Sequence, residues 1–160
     1  MSSKQLKLKI VTPEKLIFEE LVDEVIIPTI EGEITVLPEH IPIIAGLKSG
    51  DVVGIVNGEQ IPFAVVGGFV EVKYLPEALP LANGGLASGV TEVVILADFA
   101  EHVSELSDET IMKAKARAEE LKKQAENKEV VDFEYFESEL ERALTRVKIA
   151  DKWRTRKYRK

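Results

Sequence analysis

The sequence predicts an α+β chain in which an antiparallel β-sandwich or barrel over residues 1–100 precedes an antiparallel two-helix hairpin over residues 104–160. Three observations carry this reading. Apolar and polar residues alternate in short runs through the first hundred positions, as half-buried strands require. Turn signals, most of them containing glycine, separate those runs at close spacing with no helical pattern between them. From about Ser104 the apolar period lengthens to that of a helix.

The elements follow in order. In Lys4 to Val11, Leu6, Leu8 and Ile10 alternate with Lys7 and Lys9, and Thr12-Pro13-Glu14 ends the run. Val22 to Thr29 is rich in β-branched residues, Glu31-Gly32-Glu33 has the composition of a turn, and Ile34 to Leu37 begins the next strand. Further strands fit Ile41 to Ala45, Asp51 to Val56, Gln60 to Val66, Phe69 to Lys73 and Thr91 to Ala97. Ser49-Gly50, Asn57-Gly58 and Gly67-Gly68 supply turns, and Asn57-Gly58 is the strongest hairpin signal because both positions tolerate positive φ. Between Tyr74 and Val90, Pro76, Pro80, Gly84, Gly85 and Gly89 are too many breakers for a regular element, so the segment reads as a long exposed excursion.

In the helical part Ser107 is an N-cap, and Asp108 and Glu109 place negative charge at the positive end of the helix dipole. Ile111, Ala114, Ala118, Leu121 and Ala125 form an apolar stripe that ends at Asn127-Lys128-Glu129. Asp132 caps a second helix with the stripe Phe136, Leu140, Ala143, Val147 and Ala150, followed by Trp153. Two such helices on a short connection pack antiparallel. Their seam is narrow, so the hairpin is expected to be less stable than the sandwich and to have other positions within energetic reach.

The chain has 160 residues, 45% hydrophobic and 31% charged, which is enough for one sizeable core or a small domain with an appendage. No apolar run approaches the roughly 20 residues that cross a bilayer. The N-terminal Met1-Ser2-Ser3-Lys4 lacks the layout of a signal peptide, so cytosolic exposure is the default expectation. Charge is unevenly spread. From Arg142 to Lys160 nine basic residues face one acid, giving +8, and since the whole chain is −7 the first 141 residues carry −15. An acidic body with a basic tail points to a negatively charged partner.

The chemistry of an enzyme is missing. Cysteine is absent, which removes disulfides, thiolate nucleophiles and thiolate metal sites. No glycine-rich loop ends in Gly-Lys-Ser or Gly-Lys-Thr, so phosphate-loop nucleotide hydrolysis is not expected. His40 and His102 lie far apart, without the spacing of a helical metal pair, and read as surface or packing histidines. Glu19-Glu20 and Glu31/Glu33 read as solvated charges rather than as a glycosidase pair. The expectation is an interaction module with no catalytic residue, metal or cofactor. Two rivals stand beside it: an adaptor whose basic tail binds nucleic acid, against which the acidic body and the few tail aromatics count, and a sandwich enzyme, which lacks a convergent acid/base or nucleophile cluster.

The segment EGEITVLPEHIPIIAGLKSG, Glu31 to Gly50, resembles the signature of ATP synthase epsilon subunits, in which a Glu-Gly-Glu turn leads to Pro-Gly-His-x-Pro and then Leu-Lys-Pro-Gly. It is joined in order by LKIVTPEKLIFEELVDEVIIPT before it, VVGGFVEV at Val65 to Val72, VVILADFAEH at Val93 to His102, and KAKARAEEL in the first helix. The resemblance covers nearly the whole chain and implies a non-catalytic rotor subunit that couples proton or sodium translocation to ATP synthesis on the cytoplasmic face of a bacterial plasma membrane, with a chloroplast thylakoid as the alternative. Its partners would be the gamma subunit, the c-ring and the beta and alpha subunits of the catalytic head.

Carried over by residue, the resemblance implies that Glu31, Gly32 and Glu33 face the c-ring and that Pro38, His40 and Pro42 dock beside gamma. It further implies that the hairpin can extend so that basic residues of the second helix, here Arg142, Arg146, Lys148, Lys152, Arg154 and Arg156, meet an acidic part of the beta subunits and inhibit ATP hydrolysis. The alternative for these cations is a solvated helix end. Glu39 and Ser49 depart from the family's glycine and proline, and the excursion from Tyr74 to Val90 is longer than the family's turn. Some relatives bind ATP through an Ile/Leu-Asp-x-x-Arg-Ala motif. Leu106, Ser107, Thr110 and Ile111 stand there in this chain, without the acid or the arginine, so no ATP site is expected.

Overall fold

The computed structural model describes residues 5–75, 79–80, 86–87, 89–127 and 132–157. The chain divides into two compact units, Met1–Ala100 and Glu101–Lys160.

The first unit is a sandwich of two five-stranded sheets. One sheet contains β1 (Leu6–Val11), β2 (Leu16–Val22), β5 (Ile43–Gly46), β8 (Phe69–Leu75) and β11 (Val90–Leu96), in the order β2-β1-β11-β8-β5. The other contains β3 (Glu24–Thr29), β4 (Gly32–Val36), β6 (Gly50–Val56), β7 (Glu59–Val66) and β12 (Phe99–His102), in the order β12-β7-β6-β3-β4. Alternation decides which face each strand buries: Leu6, Leu8 and Ile10 are wholly inaccessible, while Lys7 and Lys9 between them are partly exposed. One core joins the inner faces of both sheets, including Val25, Ile27, Val52, Phe63, Val65, Val70, Val93 and Ile95. Each such side chain contributes about 1.5–3 kcal/mol by leaving water. Phe63 meets the Phe18 ring at 4.9 Å between centroids, tilted by 57°.

The sandwich is not wholly antiparallel. β1 runs parallel to β11, with Leu6 opposite Thr91 and Val11 opposite Leu96. The two strands come from opposite ends of the unit, so no tight turn dictates their relative direction. The structure also resolves Leu16–Val22 as a strand of its own, turned from β3 at Asp23. Asp23 holds that corner: its carboxylate accepts from Gln5 Nε2 at 3.2 Å and from the Asn57 backbone N–H at 2.6 Å, and its own N–H donates to Ile55 O at 2.7 Å.

Asn57 and Gly58 form the β6/β7 turn with φ of 51° and 79°, the positive values a two-residue hairpin needs. Gly68, at φ 96°, has a further constraint, because a Cβ there would lie 1.9 Å from Leu96 O. Within the excursion, β9 (Leu79–Pro80) and β10 (Leu86–Ala87) pair antiparallel, a regular element that the density of breakers concealed. Its remaining positions, 76–78, 81–85 and 88, lie outside the described residues.

The second unit opens with a 3-10 turn, Val103–Glu105, followed by α1 (Asp108–Glu126) and α2 (Phe133–Lys157), which pack on each other. His102 Nδ1 accepts the Ser104 N–H at 3.0 Å and caps the turn. Ser107 Oγ accepts the Thr110 N–H at 3.2 Å, and Asp132 Oδ1 accepts the Tyr135 N–H at 3.1 Å, so both helices start at the caps read from the sequence. Ile111, Ala114, Ala118 and Leu121 are buried, whereas Ala125 near the end of α1 is exposed. On α2 the buried set includes Ala143 and Ala150 and adds Thr145 and Ile149, so its covered side is wider than the stripe suggested.

Candidate functional site

Of the residues singled out in the sandwich, Glu31 lies in the two-residue turn between β3 and β4, and Gly32 and Glu33 open β4. All three are exposed. The turn is braced from both sides: Thr29 Oγ1 donates to Gly32 O at 2.5 Å, and Ile30 N–H donates to Gly46 O at 3.0 Å. Ile30 itself is 67% exposed, so the tip presents an isoleucine between polar neighbours. The sequence pattern did not single that residue out.

Pro38, His40 and Pro42 lie in the connection from β4 to β5. His40 N–H donates to Leu37 O at 3.1 Å, closing a turn with Pro38 and Glu39 at its centre. Glu39 has φ 68°. A proline followed by a positive-φ residue is the layout of a type II turn, whose third position favours glycine. The departure from the family's glycine therefore falls where glycine has a conformational reason to be. The Glu39 N–H donates to Thr91 Oγ1 at 2.7 Å, and Thr91 is 1% exposed. His40 Nδ1 lies 2.7 Å from Ile41 O, so the tautomer protonated at Nδ1 donates there. His40 and Pro38 are half-buried; Ile41 and Pro42 are exposed.

A further feature, missed in the sequence, appears on the outer face of the first sheet. The register places Leu16 opposite Val11, Val11 opposite Leu96, Leu96 opposite Phe69 and Phe69 opposite Gly46. Leu16, Leu96 and Phe69 are each at least half exposed, and Ile44 on the same face is more so. Contiguous exposed apolar groups of this kind mark interaction surfaces. Adjacent core residues such as Val70 and Ile95 blur the alternation, and the row exists only once four strands are paired. The other end of the same face is polar: Lys7 Nζ lies 2.6 Å from Glu19 Oε1, and the ammonium holds that carboxyl below its ordinary range by hydrogen bonding.

In the helical unit the basic residues of α2 divide into two sets. Arg146 Nε donates to Glu101 Oε2 at 2.8 Å, Arg154 Nη2 donates to Asp108 Oδ1, and Arg142 lies 3.9 Å from Glu139. Lys148 and Lys152 are exposed, and the side chain of Arg156 lies outside the described residues. On α1, Glu120 accepts from Arg117 at 2.9 Å and raises the already high guanidinium pKa.

Among the described residues no group of three or more metal-ligating side chains converges, and no helix is long and apolar enough to cross a membrane. His40 lies in the connection from β4 to β5 and His102 at the end of β12, each engaged with its own local backbone. What the structure presents is a braced loop, an exposed apolar row and a helix with basic residues toward its C-terminal end.

Together these features define a class of protein, a β-sandwich followed by a helical hairpin. Residues 5–75 match the family model described as the ATP synthase, Delta/Epsilon chain, beta-sandwich domain. An ATP synthase epsilon chain of Syntrophobacter fumaroxidans is 36% identical over 94% of this chain and 98% of its own length. One from Dehalococcoides mccartyi is 37% identical over 94% and 95%. A chain of the Euglena gracilis mitochondrial ATP synthase shares the fold, with a TM-score of 0.57 and 21% identity over 94% of this chain and 80% of its own. The chain belongs to the ATP synthase epsilon chain family.

Proposed function

We propose that the chain works in the central stalk of an F-type ATP synthase, as a non-catalytic rotor subunit of a complex held peripherally at a membrane. The observation that carries this reading is the span of the family relationship, which runs through both units in relatives of matching length.

In this reading the exposed tip around Glu31, Gly32 and Glu33 meets the polar loops of the c-ring, and Pro38, His40 and Pro42 dock beside the gamma subunit. The bracing of both loops by hydrogen bonds supports that assignment, because a surface that carries torque must resist shear. The row of Leu16, Leu96 and Phe69 supplies apolar area for the same shaft. The complex sits on the cytoplasmic face of a bacterial plasma membrane.

The helical hairpin inhibits ATP hydrolysis by presenting Arg142, Arg146, Lys148, Lys152, Arg154 and Arg156 to acidic parts of the beta subunits. Partly exposed ion pairs contribute about 0.5–1 kcal/mol each, so several together shift a conformational equilibrium. In the compact hairpin Arg146 and Arg154 are held by Glu101 and Asp108, and extension exchanges those carboxylates for the partner's. The test is the ATPase rate of the assembled complex with the chain ended after Ser104. Faster hydrolysis with assembly intact supports inhibition; an unchanged rate refutes it.

A further inference from the structure

Gly46 closes β5, the edge strand of the first sheet, and its φ is not positive, so its backbone conformation gives no reason for glycine. Glycine weakens a strand and often marks a place where another group must come close. Here that group is Ile30. A Cβ at Gly46 would lie 3.2 Å from Ile30 Cδ1, 3.5 Å from its Cγ1 and 3.6 Å from its Cγ2, so the Ile30 side chain takes the space that a side chain at position 46 would need. The Ile30 N–H, donating to Gly46 O at 3.0 Å, fixes the approach.

The direction of that Cβ decides which face Ile30 joins. Gly46 is opposite Phe69 in the β5/β8 register, and directly opposed residues project to the same side of a sheet. Phe69 is 61% exposed while Val70 beside it is wholly buried, so that side is the outer face. Ile44, two residues before Gly46, projects there too and is exposed. Ile30 therefore leaves the turn between β3 and β4 and closes the end of the apolar row that runs from Leu16 through Leu96 to Phe69.

We propose that Ile30, seated on Gly46, is a specificity-determining residue for the gamma subunit: its side chain meets apolar groups of the shaft, while Glu31, Gly32 and Glu33 beside it face the c-ring. The inference rests on the stalk role proposed above. Continuity argues for that occupant, because Ile30 extends the same outer face on which Leu96 and Phe69 offer apolar area. Polar ring loops would gain little from covering an isoleucine, whereas an apolar partner removes its surface from water. Gly46 acts through Ile30 as a positioning residue.

Calorimetric titration of the full chain with isolated gamma subunit tests this. Ile30→Ser should weaken binding about tenfold, the loss expected of an apolar anchor at an interface, and leave thermal unfolding unchanged because Ile30 is exposed in the free chain. Gly46→Ala, whose methyl needs the space that Ile30 uses, should weaken binding when Ile30 is present and cause no loss in an Ile30→Ala background, again with unfolding unchanged. A merely structural glycine would lower stability and cost the same in both backgrounds. If gamma binds the wild-type chain and Ile30→Ser equally, or if the effect of Gly46→Ala is independent of Ile30, the proposal is overturned and the stalk role stands. If the wild-type chain does not bind gamma, both fall.

Discussion

Glu39 donates its backbone N–H to Thr91 Oγ1 at 2.7 Å, across 52 positions of sequence. The bond ties the connection between β4 and β5 to the start of β11 and holds a non-glycine residue at φ 68°. A left-handed conformation costs such a residue roughly 1–2 kcal/mol. Glu39→Gly is therefore expected to raise stability by up to about 1 kcal/mol, and Glu39→Val to lower it, in urea unfolding of the isolated chain. Thr91→Val, which removes the acceptor, should cost about 1–2 kcal/mol.

Gly68 offers a sharper contrast. Any Cβ there would lie 1.9 Å from Leu96 O, and backbone cannot move aside as a side chain can. Gly68→Ala is expected to cost at least about 3 kcal/mol or to prevent folding. Gly58→Ala, with φ 79° and nothing near its Cβ, should cost only about 1 kcal/mol. Thermal unfolding of the two variants would show the difference.

The ion pairs of the helical unit predict a functional effect as well as a stability effect. Glu101→Gln and Asp108→Asn remove the carboxylates that pair with Arg146 and Arg154, at less than about 1 kcal/mol each to the hairpin. In the assembled complex both should deepen inhibition of hydrolysis, and Arg146→Glu should relieve it. Steady-state ATPase assays would check the two directions.

The depressed pKa of Glu19 sets a pH dependence. Hydrogen bonding to Lys7 lowers the folded-state value below 4.5, so the pair's contribution is fully present above that pH and is lost as pH falls through the folded value. Glu19→Gln should therefore lower stability slightly at pH 7 and leave it unchanged near pH 2. Parallel urea titrations at the two pH values would test this. The effect should be small because the pair is about one third exposed.

Much of this architecture was legible wherever one residue type has one physical use. Asn57-Gly58 fixed a hairpin because positive φ is required at both positions, and Ser107 and Asp132 fixed helix starts through their side-chain acceptors. β2 was not legible as a separate strand. Its Ile17 and Phe18 are both half-buried, and a register shift at Ile10/Val11 breaks the alternation beside them. β12 is four residues long, too short for a period to show. The candidate docking residues were visible only through the family signature, since nothing in the composition of Pro38, His40 or Pro42 separates a docking loop from any other turn. The row of Leu16, Leu96 and Phe69 was invisible for another reason: it is a property of strand pairing.

The central claim is that the chain acts by gripping a rotor shaft, and the most direct measurement is its binding to an isolated gamma subunit. Mixed in solution, the two should form a stable one-to-one complex that Phe69→Ser/Leu96→Ser weakens, with no ATP turnover by this chain alone. If the chain and gamma sediment independently, or if the purified chain hydrolyses ATP, the account is contradicted.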